Sequence, residues 1–254
     1  MSQIRLGVLT SVLGTAGEGI RNSVRGIVQL DTGLVEAYVK LIDQREILVE
    51  CVCALLARNL KLEVPEPLVV LIRPEFSNLP SDALAFGSIG LSAGNLRPWF
   101  SNLGDVAVKR RLRQWANLIP ACCFDEWIAN VDRHAGNILY DGRDRFWLID
   151  HGLAIAHGLQ SDVSVTNHLM GVAIEGLGEV DRLTLKPKAL GIVDVFAQEQ
   201  VEPVFAQIPA GIWQQDVPTE ISGWLKSRQS HLARLVDAKI PTQQGSLFSG
   251  GQNG

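Results

Sequence analysis

Three polar residues in the middle of the sequence have the types and the spacing to hold a metal ion or accept a proton. Asp132 and Asn137 come first, and Asp150 follows after two short apolar runs that are separated by Asp-Gly-Arg-Asp at 141–144. Apolar runs on both sides of an Asp-Gly turn predict a β-hairpin, which would bring Asn137 and Asp150 to the same end. Amide and carboxylate oxygens are hard ligands that suit Mg²⁺. The sequence therefore predicts a magnesium site formed by Asn137 and Asp150.

Asp132 precedes the hairpin, and its carboxylate is predicted to face the same volume and to take a proton from a hydroxyl. A base beside magnesium ligands is typical of phosphoryl transfer, in which positioning and charge neutralisation provide most of the catalysis. Taken singly, an Asp or Asn in a loop is usually a turn former. The combined order, Asp-x4-Asn, a hairpin and then Asp-x-Gly, matches the catalytic loop and metal-binding motif of kinases.

The segments NVDRHAGN at 130–137 and LIDHG at 148–152 resemble the HipA-like kinases. The Asp-Arg-His-x-x-Asn order is also similar to the loop of phosphoinositide 3- and 4-kinases, whereas eukaryotic protein kinases have His-Arg-Asp there. The resemblance extends from about Gly26 to about Trp213. It implies an α+β, two-lobed protein-kinase-like fold with a β-rich N-lobe and a mainly helical C-lobe. It also implies an ATP- and Mg²⁺-dependent phosphotransferase that acts on a Ser/Thr hydroxyl of a protein.

Composition is that of a compact folded protein rather than a disordered or fibrous one. The chain has 254 residues, of which 46% are hydrophobic and 20% charged. A net charge of −4 and the lack of a long Lys/Arg run argue against a dedicated nucleic-acid or membrane-surface protein. No run of eighteen apolar residues occurs, so no transmembrane helix is expected.

The four cysteines are Cys51, Cys53, Cys122 and Cys123. Neither their Cys-x-Cys spacing nor the vicinal pair is typical of a disulfide framework or a zinc site. They are predicted to be buried, reduced thiols. Together with the lack of a convincing signal peptide, this predicts a cytoplasmic protein.

A candidate nucleotide-binding lysine lies near the end of the strand predicted at 35–41, and is Lys40. A strand lysine is ordinarily a solvated surface residue. Here, however, a helix predicted at 45–60 follows and carries Glu46 and Glu50 on one face. A strand lysine paired with a helix glutamate holds the α- and β-phosphates in kinases. The resemblance favours Glu50 as the partner of Lys40, and Glu46 is the alternative.

Glycines at 14–19 could let backbone N–H groups approach phosphates ahead of the next strand. No Gly-Lys-Ser/Thr follows, so this is not a Walker motif, and a flexible loop between strands is the alternative interpretation. Phosphate contacts are predicted near Arg21 and Ser23. Phe-Gly-Ser at 86–88 recurs in HipA-like kinases, which implies that Ser88 helps to bind the nucleotide.

The domain boundaries are predicted from changes in composition along the chain. We expect an N-lobe at 1–90, a C-lobe at 91–240 and a disordered Gly/Gln/Ser-rich tail at 241–254. A small, flexible interlobe link is predicted at 87–95, where backbone groups would meet adenine. The C-lobe helices are predicted at 105–118, 121–128, 166–177, 186–207 and 219–238.

Two other functions remain open at this stage. The Asp-Arg-His order is compatible with a lipid or small-molecule hydroxyl as acceptor, and a pseudokinase that binds nucleotide as an interaction module is the other alternative. The resemblance also suggests an antitoxin or another regulatory partner, as for toxins related to HipA. His134 and His151 flank the predicted site, and a His–carboxylate hydrogen bond would organise the loop around Asp132 or Asp150, with proton transfer as the alternative.

Overall fold

A computed structural model describes residues 4–15, 23–77, 79–91, 94–95, 105–214 and 216–243. These residues form two compact units, each of which is discontinuous in the sequence. The first contains the described residues of 1–94, 139–153 and 200–222, and the second those of 95–138, 154–199 and 223–254. The N-terminal part is rich in β-strands and the C-terminal part is mainly helical. The predicted α+β class is thus confirmed.

The first unit is built on a β-barrel, whose strands contain β-branched and apolar residues at alternating positions. The strands are β1 (Arg5–Thr15), β2 (Ser23–Leu30), β3 (Gly33–Lys40), β4 (Pro67–Ile72) and β5 (Ala83–Ile89). They close in the order β1-β2-β3-β5-β4. β1 runs parallel to β4, and the other neighbouring pairs are antiparallel.

The interior of the barrel is filled by inward-facing apolar side chains. The buried members are Leu9, Val28, Leu30, Ala37, Val39, Leu68, Val70, Ile72 and Ala85. Close packing of β1 against β2 requires a glycine at Gly26, because an added Cβ would lie 2.6 Å from both Leu9 Cδ1 and the Ser11 carbonyl oxygen. Lys40, at the end of β3, therefore projects from a rigid, well-packed strand.

A long helix, α1 (Gln44–Asn59), follows β3 directly. It begins where the Asp43 side chain accepts a hydrogen bond from the Glu46 backbone N–H at 2.8 Å, which satisfies one of the free N–H groups at the helix start. All residues from Ile47 to Ala57 are buried. The chain leaves the helix through Lys61, whose φ of +62° is typical of a helix C-terminus. The helix predicted at 45–60 is confirmed.

The predicted central hairpin is also present, as β7 (Ile138–Tyr140) and β8 (Phe146–Leu148). Its turn is fixed by Asp141, whose Oδ1 accepts hydrogen bonds from the backbone N–H groups of Arg143 and Arg145. Gly142 has a φ of +79°, which explains the Asp-Gly pair. With the two-residue β6 (Gly94–Asn95), the hairpin strands form a three-stranded sheet in the order β6-β7-β8.

The second unit is helical. Its helices are α2 (Val106–Gln114), α3 (Leu118–Trp127), α4 (His168–Ile174), α5 (Glu179–Phe196) and most of α7 (Val217–Lys239). α3 packs against α4 and α5. The Trp127 side chain lies inside, where its indole N–H donates to the Leu225 carbonyl oxygen at 3.0 Å. None of the helices in the described part of the chain is long and apolar enough to span a membrane.

The helix predicted at 186–207 is wrong in its limits. The chain instead forms α5 from Glu179 and a separate short helix, α6 (Glu202–Phe205), in the first unit. Pro203 lies at the start of α6, where its missing N–H has no helical partner to lose, and could not continue a helix from upstream. The predicted helix begins at Lys186, whereas α5 begins at Glu179 and contains Pro187 in its interior.

Candidate active site

Lys40 is held between two carboxylates of the first unit. Its Nζ lies 3.2 Å from Glu50 Oε1 and 2.9 Å from Asp150 Oδ1. The side chain is 15% exposed, so the pairing takes place largely out of water. Burial lowers the pKa of Lys40, but Glu50 and Asp150 outweigh this effect and raise it. The lysine is therefore charged at neutral pH.

Glu50 is the partner of Lys40, and Glu46 lies in the first turn of α1 instead. The Glu50 side chain is only 1% exposed, and such burial favours the protonated carboxyl. Although burial raises the pKa of Glu50, Lys40 and His151 lower it further, to about 2. Glu50 is thus a buried carboxylate that its two partners keep ionised.

His151 contacts the second oxygen of the same carboxylate. The His151 backbone N–H donates to Glu50 Oε2 at 2.9 Å, and Nδ1 of the imidazole lies 3.6 Å from that oxygen. A His–carboxylate contact beside Asp150 agrees with the expectation from the sequence. The carboxylate belongs to Glu50 on helix α1, about a hundred residues away in the sequence.

Asp150 follows β8 after one intervening residue and has a φ of +62°. This left-handed conformation is uncommon for a residue with a side chain, and Asp tolerates it better than most. The carboxylate is 32% exposed, so that it remains accessible while it contacts Lys40. An accessible carboxylate is a suitable ligand for a hard divalent cation.

In the second unit, Asp132 and Asn137 contact each other directly. Nδ2 of Asn137 donates to the Asp132 backbone oxygen at 2.8 Å and to Oδ2 of its carboxylate at 3.2 Å. The Asn137 side chain is therefore oriented by its nitrogen, which leaves the Oδ1 oxygen as the acceptor that a cation could use. Asp132 keeps a side-chain exposure of 39%, as an acceptor of a substrate proton requires.

The loop that carries these two residues is fixed by a buried arginine. Arg133 makes two hydrogen bonds of 3.0 Å to the Asp125 carboxylate on α3, and both side chains are fully buried. It also donates to the Asn137 backbone oxygen at 2.9 Å. Asn130 bridges the same network, since it donates to Asp125 and accepts from the Asp132 N–H. The role of Asp125 is not predicted from the sequence, because a single Asp inside an apolar helix gives no local signal of its partner.

His134 lies beside Asp132 in this loop. Its Nδ1 accepts a hydrogen bond from the Gly136 N–H at 3.0 Å, and its Nε2 lies 4.0 Å from Asp132 Oδ2. At that separation the contact with Asp132 is longer than a hydrogen bond. The hydrogen bond between the Gly136 N–H and Nδ1 therefore links the imidazole to the loop backbone.

Three residues outside the central loop, Arg21, Ser23 and Ser88, are predicted to bind the nucleotide. Arg21 lies outside the described residues. Ser23 is the first residue of β2 and pairs with Lys40 across the β2–β3 ladder. Ser88 lies in β5, opposite Tyr38 on one side and Pro67 on the other. Ser23 is thus a cross-strand neighbour of Lys40, whereas Ser88 is a cross-strand neighbour of Tyr38 and Pro67.

The segment at 159–165, which follows Asp150 in the sequence, is held by side chains of α7. The Trp224 indole N–H donates to the Leu159 oxygen at 2.6 Å, and Arg228 donates to the backbone oxygens of Ser161 and Val163 at 3.0 and 2.8 Å. Two further donors are Arg234, to Asp162 at 2.8 Å, and Lys239, to Val165. We call residues 159–165 the clamped segment.

Arg228 links this contact to the interior of the second unit. It is fully buried and contacts Glu126 on α3, with an Nη2–Oε1 distance of 3.2 Å. Asn167, just after the clamped segment, donates to the other Glu126 oxygen at 3.2 Å. Through Arg228, helix α7 therefore connects the clamped segment to α3. The same helix carries Asp125, which contacts the loop of Asp132 and Asn137.

Two predictions on metals and thiols can be compared with the described residues. All four cysteines are free and buried, as predicted. Burial raises the pKa of Cys123 to about 12, so that it is an unreactive thiol. No group of three or more His, Cys, Asp or Glu side chains able to hold a metal occurs in the part of the chain that the structure describes.

Comparison with known proteins identifies the family. The family model described as HipA-like kinase matches residues 37–239. A search of curated proteins found no match. Among solved structures, a Helicobacter pylori proinflammatory kinase, CtkA, is similar with a TM-score of 0.53 and 12% identity, and the match covers 95% of this chain and 96% of that one.

HipA from Shewanella oneidensis MR-1, solved with HipB and operator DNA, gives a TM-score of 0.49 at 13% identity, over 90% of this chain and 67% of that one. A Golgi casein kinase with Mn/ADP bound also gives a TM-score of 0.49, at 12% identity, over 94% of this chain and 74% of that one. The likeness to CtkA shows a kinase fold, and the family match spans most of the sequence. The chain therefore belongs to the HipA-like kinase family, whose members are phosphotransferases.

Proposed function

We propose that this protein is an ATP- and Mg²⁺-dependent kinase that phosphorylates a Ser/Thr hydroxyl of a protein. The observation that carries the proposal is the pairing of Lys40 with both Glu50 and Asp150. This pairing joins a strand lysine, a helix glutamate and the Asp of an Asp-x-Gly motif, which are the parts that kinases use to hold ATP. Membership of the HipA-like kinase family supports the same chemistry.

Lys40 is proposed to bind the α- and β-phosphates of ATP. An ammonium group has three N–H donors, and Glu50 and Asp150 each accept from one position on it. The remaining donor, and the position that Asp150 occupies, can serve phosphate oxygens. Glu50 is buried and fixed on α1, so it would hold the lysine in place while the phosphates bind.

Asn137 and Asp150 are proposed to hold Mg²⁺, and each has a feature that fits a cation ligand. The Asp150 carboxylate is accessible, and the Asn137 amide is turned so that its nitrogen binds Asp132 and its oxygen is left as an acceptor. Both ligands are hard oxygens, as Mg²⁺ prefers. A bound Mg²⁺ would neutralise charge on the phosphate oxygens.

Asp132 is proposed to act as the base. The acceptor oxygen forms a bond to the γ-phosphorus, the bond from that phosphorus to the β–γ bridging oxygen breaks, the hydroxyl proton passes to Asp132, and ADP leaves. The contact with Asn137 orients the Asp132 carboxylate, and the Asp125–Arg133 pair holds the loop that carries both residues. Pre-organised positioning of this kind lowers the barrier without new contacts in the transition state.

Transfer of radiolabel from γ-labelled ATP tests the proposal directly. Wild type and Asp132→Asn are incubated with cell extract, with and without Mg²⁺. We expect Asp132→Asn to reduce transfer by roughly 10²–10⁴-fold while ATP affinity, measured by calorimetry, changes only slightly, because a base acts on the chemical step. Asp144→Asn, an exposed position in the hairpin turn, is the matched control and should retain wild-type transfer.

Hydrolysis of the labelled products identifies the acceptor. Phosphoserine or phosphothreonine supports the proposed protein acceptor, and label in the lipid fraction would replace it by a lipid hydroxyl. Tight ATP binding with no transfer by wild type would contradict the kinase proposal and favour the pseudokinase alternative. Equal transfer by wild type and Asp132→Asn would exclude Asp132 as the base.

A further inference from the structure

The contact between His151 and Glu50 has no role in the reaction proposed above. His151 directly follows Asp150, and its side chain is only 2% exposed. Two of its atoms approach the same carboxylate oxygen, since the backbone N–H donates to Glu50 Oε2 at 2.9 Å and the imidazole Nδ1 lies 3.6 Å from it. The other oxygen, Oε1, is the one that contacts Lys40.

The two oxygens of Glu50 thus have separate partners. Rotation about the last torsion of a glutamate side chain is soft and has no strong staggered minima. A contact that fixes Oε2 therefore also decides where Oε1 points. Because the Glu50 carboxylate is buried, water cannot replace a lost partner at low cost. The orientation that presents Oε1 to Lys40 depends on what holds Oε2.

We propose that His151 is a positioning residue for phosphoryl transfer, which acts through Glu50 to orient Lys40. The His151 imidazole and backbone N–H hold Glu50 Oε2, and Oε1 then holds the Lys40 ammonium. The same residue connects the segment of Asp150 to helix α1, so that the lysine and the metal-ligand aspartate are set by one shared carboxylate. This proposal rests on the proposed kinase function.

The imidazole is separable from the backbone by substitution. His151→Leu keeps the backbone N–H and a buried apolar side chain but removes the polar group that faces Glu50. His151→Asn returns a polar atom to the δ position of the side chain. His157→Leu is the matched control, since it makes the same substitution at an exposed histidine in a nearby stretch of sequence.

Steady-state kinetics with varied ATP gives the main test. We expect His151→Leu to lower kcat about ten- to a hundredfold, because a small misplacement of a positioning group has effects of this size. His151→Asn should recover to within a few-fold of wild type, and His157→Leu should match wild type. A side chain that only fills space would give no such recovery, since Asn is smaller and more polar than Leu.

A double-mutant cycle then tests whether His151 acts through Glu50. In a Glu50→Gln background, His151→Leu should cause little further loss of kcat, because the carboxylate that it positions is gone. Full additivity of the two losses would overturn the proposal. A kcat for His151→Leu within twofold of wild type, in an otherwise normal Glu50 background, would overturn it as well.

Two readouts do not need turnover and separate this proposal from the kinase proposal. ATP affinity by calorimetry should weaken in His151→Leu and recover in His151→Asn. Hydrogen exchange of the His151 amide, which donates to Glu50 in wild type, should accelerate in Glu50→Ala and, to a smaller extent, in His151→Leu. If wild type is inactive but both results are obtained, the kinase proposal is rejected, whereas the role of His151 in orienting Glu50 and Lys40 for ATP binding is kept. Unchanged exchange in both variants would reject the positioning role even if the enzyme is active.

Discussion

The ammonium group of Lys40 lies between two carboxylates in the first unit, and this changes what its removal is expected to do. From sequence, Lys40 is a strand-end lysine whose stem covers apolar neighbours, and its loss should hardly affect stability. The structure instead pairs it with Glu50, a carboxylate that is 1% exposed. A buried ion pair that loses one partner leaves an uncompensated charge, which costs more than the pair contributed.

We therefore expect Lys40→Met to remove turnover and also to destabilise the protein by about 3–5 kcal/mol, the usual cost of an unpaired buried charge. Urea unfolding followed by tryptophan fluorescence measures the loss. Lys40→Met/Glu50→Gln should recover part of the stability, because the fully buried carboxylate of Glu50 is then no longer left without its cation, but none of the activity. Equal stability of Lys40→Met and wild type would show that Glu50 finds another partner or takes up a proton.

At the Asp125–Arg133 pair, even a substitution that conserves the charge of the arginine is expected to lower the activity. Arg133 donates through both its Nε and Nη2 atoms, a fork geometry that lysine cannot reproduce. We expect Arg133→Lys to fold but to lower kcat by about tenfold or more, since the loop of Asp132 and Asn137 loses its anchor. The ATP affinity should change less than kcat. A wild-type kcat in Arg133→Lys would mean that the loop is held by its other hydrogen bonds.

Sequence patterns predicted the residues of the candidate site better than the contacts that position them. The strand–helix order offered Glu46 and Glu50 as partners of Lys40, and the resemblance favoured Glu50. Asp132 and Asn137 followed from their spacing in one loop. Their assigned roles stay predictions until they are tested. A His–carboxylate contact was expected near Asp132 or Asp150, but Glu50 could not be named as its carboxylate, nor Arg133 as the partner of Asp125, because these partners lie on other elements. Arg21, outside the described residues, also stays a prediction.

Among the elements, those with strong periodicity and clear ends were predicted closely. The strand expected at 35–41 forms as β3 (Gly33–Lys40), and the helix at 219–238 forms as α7 with Pro218 in its first turn, where proline is favoured. The helix expected at 105–118 ends at Gln114, because Trp115 adopts an extended conformation with a ψ of 122°. A boundary set by the burial of one large side chain cannot be predicted from local propensity.

Side chains of helix α7 hold the clamped segment through both its backbone and one of its side chains. Arginine, lysine and tryptophan of α7 contact the backbone oxygens of the segment directly. Ser161 of the segment also contacts Ser227 of α7, with an Oγ–Oγ distance of 2.7 Å. Most of these contacts reach backbone atoms and therefore do not depend on which side chains the segment carries.

The clamp predicts a specific change in local dynamics. Arg228→Lys keeps the charge beside Glu126 but loses Nη1, the atom that donates to both Ser161 and Val163. We expect hydrogen exchange in the clamped segment to accelerate by about tenfold, with smaller changes in α3, because local opening becomes easier. Arg234→Lys, at an exposed contact with Asp162, is the control and should change exchange only slightly. Uniform acceleration throughout the second unit would point to global destabilisation instead.

At the scale of the whole molecule, the ionisation of Glu50 makes folding stability depend on pH. Its pKa is lowered from the usual 4.5 to about 2 in the folded protein. The stabilisation is therefore complete above pH 4.5, where both the folded and unfolded carboxyls are ionised, and is lost as the pH falls towards 2, because the unfolded chain takes up the proton first.

Comparison of wild type with Glu50→Gln isolates this contribution. The difference in the free energy of unfolding between the two proteins should be constant between about pH 7 and 5 and should shrink below the usual pKa of the carboxyl. Urea unfolding at a series of pH values measures it. A difference that stays constant down to about pH 3 would show that folding does not lower the pKa of Glu50.

Several statements about the whole molecule stay predictions. The lobe boundaries at 1–90 and 91–240, the interlobe link at 87–95, the cytoplasmic location and an antitoxin or regulatory partner depend on the sequence and its resemblance. The tail predicted at 241–254 lies mostly outside the described residues. Membership of a family gives the kind of chemistry. It cannot give a partner or an acceptor, because those depend on surfaces that differ between family members.

The parallel pairing of β1 with β4 has a consequence for how the chain folds during synthesis. Arg5 to Val8 pair with Leu68 to Leu71, so that one side of β1 has no partner until some sixty further residues have been made. β2 and β3 can form a meander with β1 early, because their connections are local, whereas closure of the barrel requires a long loop. During that interval the outer edge of β1 is an open strand edge, of the kind that pairs with other chains. Because β5 pairs with both β3 and β4, the growing chain keeps open strand edges until β5 has emerged, although the lysine strand is complete much earlier.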